Sequence, residues 1–361
     1  MTGIRALERA DLPQVSALFE LVMRSGQHEP NPRVAEYFAR VVVDDPWADP
    51  EIPSLVHEDA DGGIVGFIAA NTRRMRLDGR SVRMAVSSNL VAHPDWRSRG
   101  VGVLLNRKLL AGPQELTVAD RANDDSRGLW AGLGGQEMVG SSVAWWRILR
   151  AGATAGALAG RRAPALGRGA RLAGAPWDAL AARFGRLGPP PPPDPTGSTE
   201  ILTPELLADS VAAQGKRLRL HPDYDPAWLT WVFAELGRLN DRGHLTARLV
   251  RGTTGRVLGW FLYLLPPAGV AEVVQVGATG DPAPVLDHLV RSAHDEGAAA
   301  VQGRLSPVTA GLLGAPGVVV RRGARALVHA ADPAVLGLLS STTSLCSILD
   351  GEWLVAHGAR Q

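Results

Sequence analysis

The sequence predicts an α/β (α+β) protein of two domains, each a mixed, mainly antiparallel sheet flanked by helices. Three observations carry that expectation. The chain has 361 residues, beyond the usual size of one domain. Its first half alternates strand-like runs, some joined by Asp-Gly turns, with runs of helical periodicity. After about residue 200 a similar order of runs returns in degraded form, as expected of an internal duplication.

The elements follow in order. IRAL opens as a short strand, Asp11 is placed to cap the helix LPQVSALFELVM, and RVAEYFARVV continues as a second helical piece. In SLVHEDADGGIVGFIAANTRRMRLDGRSVRMAVSSNLVA, two runs flank Asp61-Gly62-Gly63 and two flank Asp78-Gly79. That pattern predicts an antiparallel meander. A helix over about 101–111, the strand LTVA, the helical piece DDSRGLWAGL and a strand pair ending in SVAWWRIL complete a first domain, 1–150. Residues 151–199 are rich in Ala, Gly and Arg and run into Pro189 to Pro193. Polyproline is stiff and extended, so this segment reads as a linker. Its arginines 161, 162, 168, 171, 183 and 186 read as solvated linker charge, with contact to an acidic partner or a membrane surface as the alternative. In the second domain, 200–361, HLTARLV and RVLGWFLYLL form a hairpin, AEVVQVGA a strand, PVLDHLVRSAHDEGA a helix and AVQGRL a strand. Trp228, Trp231 and Phe233 stand at near-helical spacing and read as core.

Composition narrows the function. The one cysteine, Cys346, excludes an intrachain disulfide and suits a reducing compartment. The opening residues lack the apolar core of a signal peptide, and no run of about 18 apolar residues could span a bilayer. The expectation is therefore a cytoplasmic protein with no transmembrane segment. Net charge is +2, and the basic excess lies wholly in 151–199. A nucleic-acid partner asks for a basic face on a folded domain, so none is expected. The nine histidines are scattered without HExxH, and no GxSxG occurs, so neither a metal site nor a hydrolase elbow is expected.

One stretch carries chemistry: HPDWRSRGVG, residues 93–102, lies between a strand-like run and a helical one. Amides at a helix start have no partner inside the helix, and the macrodipole makes that end positive. It therefore attracts phosphate. Gly100 and Gly102 permit close approach to the backbone, and Arg97 and Arg99 add cationic forks suited to phosphate. The spacing fits neither a Walker loop, which needs GxxxxGK[ST], nor a dinucleotide fingerprint, since position 105 is leucine.

LVAHPDWRSRGVG resembles the R-x-x-G-x-G signature of the GCN5-related N-acetyltransferase superfamily, with Arg97, Gly100 and Gly102 in the three set places and Pro94 where the family commonly has it. Asn123-Asp124-Asp125-Ser126, then Leu129, Trp130 and Leu133-Gly134, are similar to its N-x-x-[SA]-x-x-L-Y-x-x-x-G segment. The resemblance runs from about residue 3 to 150. It implies two acetyltransferase-like domains, the second degenerate because its loop TGDPAPVLDHLV carries no arginine at the right spacing.

It also implies an acyl-CoA cosubstrate, acetyl-CoA or another, and an amine of a small molecule as acceptor. The strand Ala85 to Ala92 would splay from LTVA, and the backbone of Leu90, Val91 and Ala92 would bind the pantetheine arm. Arg97 with the amides of Arg99, Gly100, Val101 and Gly102, the turn including Ser98, would hold the pyrophosphate. Asn123 either contacts the pantetheine arm or caps the helix that follows.

The catalytic groups are unknown. Where many family members place a carboxylate this chain has Ser88 and Asn89, and Trp130 stands in the tyrosine's place; an indole donates no proton at useful pH. Three readings stay open: a base from His28 or Glu29, deprotonation by water with the protein supplying position, or acyl-CoA binding without turnover. The arginines at 73, 74, 76, 80 and 83 read as an exposed strand face, with docking of an acidic carrier protein as the alternative.

Overall fold

The computed structural model describes residues 3–24, 26, 29–162, 191–239, 242–267 and 269–352. Most of the expected linker, and His28 among the candidate bases, lie outside them. Two compact units are present, each built on one mixed sheet.

The first unit comprises Met1–Val139, Gly215–Tyr224 and Ala324–Gln361. Its strands are β1 (Gly3–Ala6), β2 (Leu55–Glu58), β3 (Ile64–Leu77), β4 (Arg80–Ala92), β5 (Leu116–Ala122), β6 (Gln136–Glu137), β9 (Leu220–Pro222) and β15 (Arg325–Ala330). The sheet order is β1-β2-β3-β4-β5-β15-β6, with β9 on the far end of β3. Asp78 and Gly79 both take positive φ between the paired Leu77 and Arg80, the backbone of a two-residue hairpin turn.

Helix α1 (Leu12–Phe19) continues into a π-helical turn, Glu20–Arg24, and α2 (Pro32–Phe38) into another, Ala39–Val43. Leu12, Val15, Leu18 and Phe19 recur at helical spacing and pack with Val34, Phe38 and Val41 on Phe67, Ala69 and Val91 of the sheet. Phe38 joins Phe19 and Phe67 edge-on at 5.5 and 5.4 Å. A buried side chain of this kind stabilises by about 3 kcal/mol. Asp11 does not cap α1 as expected. Its carboxylate instead receives both arms of the Arg5 guanidinium, at 2.7 and 2.8 Å, and the Glu8 amide.

The opposite face receives α3 (Val101–Leu110), whose Val101, Leu105 and Leu109 pack on Ile68, Ala70 and Ala85. Gly66 makes this close approach possible, because a Cβ there would lie 2.4 Å from Val101 Cγ1. Helix α4 (Asp124–Gly132) buries Trp130 against Leu110, Ala119 and Leu327.

The second unit comprises Gly140–Gln214 and Asp225–Gly323. It contains β7 (Val143–Ile148), α5 (Ala151–Arg162), β8 (Ser198–Ile201), α6 (Pro204–Gln214), α7 (Pro226–Gly237), β10 (His244–Arg251), β11 (Val257–Leu265), β12 (Val270–Ala278), α8 (Ala283–Asp295), β13 (Ala300–Arg304) and β14 (Val318–Arg322). Sheet order is β14-β7-β13-β12-β11-β10-β8. Trp228 of α7 is fully buried, while Trp231 and Phe233 are half-buried.

The units do not follow the contiguous boundaries 1–150 and 200–361. Strand β7, read as the end of the first half, lies between β13 and β14, and β15 from the second half lies between β5 and β6. Residue pattern marks a segment as a strand but leaves open which edge it joins. Helix α9 (Pro333–Leu339) follows β15 in the first unit, with Val335 and Leu339 in its core.

Candidate functional site: a splayed strand pair and an uncapped helix start

Parallel pairing of β4 with β5 covers only Met84↔Leu116, Ala85↔Thr117 and Val86↔Val118. From Ser87 onward β4 keeps β3 on one side and, among the described residues, pairs with no strand on the other. The two strands part there, and an unpaired strand edge is one to which an extended ligand can add. A bulge between Ser88 and Val91 lets Asn89 take φ 50°. Asparagine tolerates this left-handed conformation better than a larger carboxylate side chain does. Leu90 and Ala92 turn towards α3, while Val91 is buried against the α1–α2 layer.

After His93 the chain makes a 3₁₀ turn, Pro94–Arg99, and Gly100 passes it to α3 with φ 73°. The Gly100 amide donates to the Arg97 carbonyl at 3.0 Å, and Leu104 is the first residue to bond back to Gly100. The amides of Val101, Gly102 and Val103 are thus the orphan donors of the first turn, and the N-cap residue, Gly100, has no side chain to cap them. Nothing lies within 4 Å of a Cβ built on Gly100, and one on Gly102 would meet only Leu90 and Leu129, at 3.7 and 4.0 Å. Arg97, Ser98 and Arg99 are exposed, and the Arg99 guanidinium lies 4.2 Å from the Trp96 ring centroid. Such an open, positively polarised helix start has the geometry and charge to accept an anion.

The remaining predicted residues divide. Asn123 caps α4, its Oδ1 accepting from the Ser126 amide at 2.9 Å, which leaves its NH₂ group exposed. Trp130 is 3% exposed and packs in the core. The Asn89 side chain donates to Ser88 Oγ at 3.3 Å. Glu29 is an exposed loop residue. The hairpin arginines are engaged within the unit: Arg73 with Asp45, Arg76 with Asp223, Arg80 with Glu115, Arg83 with Asp49 and Glu51, and Arg74 over Trp47. The exposed-face reading fails for Arg73, which is buried, and holds for Arg74 and Arg80, which are exposed.

Sequence reasoning missed a set of buried polar groups on the α1–α2 face. Asp45 accepts from Asn71 and Arg73, both at 3.0 Å. Asp350 is fully buried and takes hydrogen bonds from Tyr224 and Ser347; burial raises its carboxyl above the usual range, and those bonds together with Arg73 oppose the rise. Asp120 of β5 accepts the Glu352 amide at 3.0 Å, while the Glu352 carboxylate accepts the Arg121 amide. The signal existed in LTVADRA, where period-two alternation puts Asp120 on the same face as Leu116 and Val118.

The second unit repeats the parting of strands. Strands β12 and β13 pair in parallel over only Val270↔Ala300, Ala271↔Val301 and Glu272↔Gln302, and α8 follows β12. Its helix start differs: Asp281 Oδ1 accepts the Ala283 amide at 3.0 Å, and Pro284 has no amide to offer. A carboxylate there repels phosphate. The indole of Trp145 also covers Gly303, lying 2.6 Å from where a Cβ would sit.

No family model matches this sequence, and no curated protein matches it. Solved structures match in fold. A conserved Enterococcus faecalis V583 protein described as a probable N-acyltransferase superposes with TM-score 0.59 at 12% identity, over 91% of this chain and 73% of that one. A GCN5-related N-acetyltransferase from Kribbella flavida gives 0.55 at 17% identity, over 92% and 71%. Saccharomyces cerevisiae N-myristoyltransferase with bound myristoyl-CoA gives 0.50 at 11%, over 97% and 86%. This chain therefore has the fold of the GCN5-related N-acetyltransferases, and the duplicated order of its two units accords with a tandem arrangement. Among the described residues no helix is long and apolar enough to cross a membrane.

Proposed function

We propose that the protein is an N-acyltransferase that moves an acetyl or longer acyl group from coenzyme A to an amine of a small molecule, by direct transfer in a ternary complex. One observation carries this reading: the free edge of β4 leads straight to an uncapped helix start entered through a left-handed glycine. In this reading the backbone of Leu90, Val91 and Ala92 extends the pantetheine arm. The first-turn amides with Arg97, Ser98 and Arg99 hold the pyrophosphate, Gly100 and Gly102 keep its approach open, and the exposed Asn123 NH₂ donates to the arm. Each charge-assisted hydrogen bond contributes about 1.5–3 kcal/mol. The enzymatic names of the fold neighbours, and the myristoyl-CoA bound in one of them, support an acyl-CoA cosubstrate.

The chemistry asks for little covalent help. A neutral amine attacks the thioester carbonyl carbon, the C–S bond breaks with its electron pair on sulfur, and the proton shed by nitrogen is balanced by the one the thiolate finally takes up. Thiolate is a fair leaving group, and holding the two reactants in line supplies much of the rate. The single cysteine suits a reducing compartment, and the cytoplasm is the proposed location. Calorimetric titration with CoA, acetyl-CoA and longer acyl-CoAs tests the reading, and absence of binding by all of them removes it. The burial of Trp130 and the lack of a carboxylate at Ser88 and Asn89 favour a second reading, an acyl-CoA-binding protein without turnover. Amine-dependent release of CoA thiol, followed over a panel of primary amines, eliminates that alternative.

A further inference from the structure

Arg147 interrupts the apolar run of β7. It stands opposite Val301 of β13 and Val318 of β14, and the pleat puts it on the face of Trp145, which packs with Val301 and with Leu286 and Leu289 of α8. Only 7% of the residue is exposed. Its Nη1 is buried without a hydrogen-bond partner, and among the described residues its side chain makes no hydrogen bond or ion pair. Burial weakens the guanidinium's hold on its proton, and attraction from Asp287, an exposed residue of α8, opposes that loss. An arginine stays charged in such a place.

Neighbouring arginines show what this one lacks. Arg150 donates to the carbonyls of Ala298 and His294 at 2.6 and 3.0 Å, and Arg291 of α8 pairs with Asp295 and Asp194 at 2.9 and 2.5 Å. A buried charge without such partners costs free energy, which an arriving anion offsets.

The surroundings select the anion. One guanidinium balances one negative charge, and the Asp287 carboxylate repels a second. The planar fork matches a carboxylate bidentately. The walls are apolar, and on the same face Val320, opposite Trp145, is 50% exposed along the edge strand β14.

We propose that Arg147 anchors a further ligand site, within the second unit, for a small-molecule monocarboxylate with an apolar body. The carboxylate accepts from Nη1, and the body covers Val318 and Val320. The site shares no residue with the acyl-CoA reading above and does not depend on it.

Titration calorimetry at neutral pH with octanoate, octanol and octyl phosphate, each below its aggregation limit, tests the assignment. Octanoate is expected to bind the wild-type chain at one site, about ten-fold or more tighter than octanol, as a charge-assisted hydrogen bond allows, and tighter than octyl phosphate. Arg147→Met, unbranched and apolar, erases the preference over octanol and holds or raises Tm without ligand, because it removes an uncompensated charge. Asp287→Asn, at an exposed position, keeps the preference or widens it, and serves as the second variant if Arg147→Met does not fold. The proposal is overturned if octanoate binds wild type no better than octanol or not at all, if octyl phosphate binds tightest, or if the preference survives Arg147→Met or vanishes with Asp287→Asn. It is overturned as well if both substitutions lower Tm alike, since that would show Arg147 already satisfied by Asp287 in solution.

Discussion

Gly100 offers the sharpest separation of fold from function. Its φ of 73° is one that a residue with a Cβ adopts at a cost of about 1–2 kcal/mol. A Cβ there touches nothing within 4 Å, so no steric clash adds to that strain. Stiffening the unfolded chain returns about 0.4–1 kcal/mol. Gly100→Ala and Gly100→Glu should therefore each lose about 1 kcal/mol of stability, a fall of about 2–4 °C in Tm for a unit of this size. The two variants differ in charge. A glutamate carboxylate about 5 Å from one pyrophosphate charge costs about 1–3 kcal/mol, depending on local screening, and each 1.4 kcal/mol is about ten-fold in Kd. Calorimetry with CoA should show Gly100→Glu binding about ten- to a hundred-fold more weakly than Gly100→Ala at matched Tm. Equal affinities in the two variants would place the diphosphate elsewhere and refute the cradle.

Three further outcomes follow from the geometry. Gly66→Val should lower stability by about 1–3 kcal/mol, because its side chain drives into Val101 and Leu105 of α3; CoA affinity should fall with Tm, and a gain in both would show that the helix has slack. Arg5 holds the Asp11 carboxyl below the usual range through its hydrogen bonds, so the stability this adds is present above the unfolded value near 4 and lost as pH falls through the lower folded value. Asp11→Asn should accordingly cost about 1–2 kcal/mol at pH 7, and its Tm gap to wild type should close as the pH is brought below about 4, whereas a gap that is constant with pH would deny the pair this role. Fragments 1–150 and 200–361, expressed alone, should each lack cooperative thermal unfolding, since one leaves out β15 and the other β7; a fragment with a sharp transition by circular dichroism would contradict the strand exchange.

Much of the molecule was legible before any coordinate. Alternating runs around Asp61-Gly62-Gly63 and Asp78-Gly79 predicted the meander, because side-chain period and left-handed turn residues are local properties of the chain. R-x-x-G-x-G placed the glycine at the helix start for the same reason: the need for positive φ at Gly100 is written in one residue.

What depends on partners distant in sequence was not legible. SVAWWRIL reads as a strand in any context, yet its neighbours are β13 and β14, chosen by packing between segments more than 150 residues apart. Asp11 looks like a cap until Arg5 is found folded against it. Asp120 shows as one polar residue on an apolar face, and its setting exists only because β4 leaves β5 after Val86 and the tail returns to the same spot. Short-range sterics thus set elements and turns, while sheet membership and the electrostatics of the cleft arise from contacts that form only when the whole chain has collapsed.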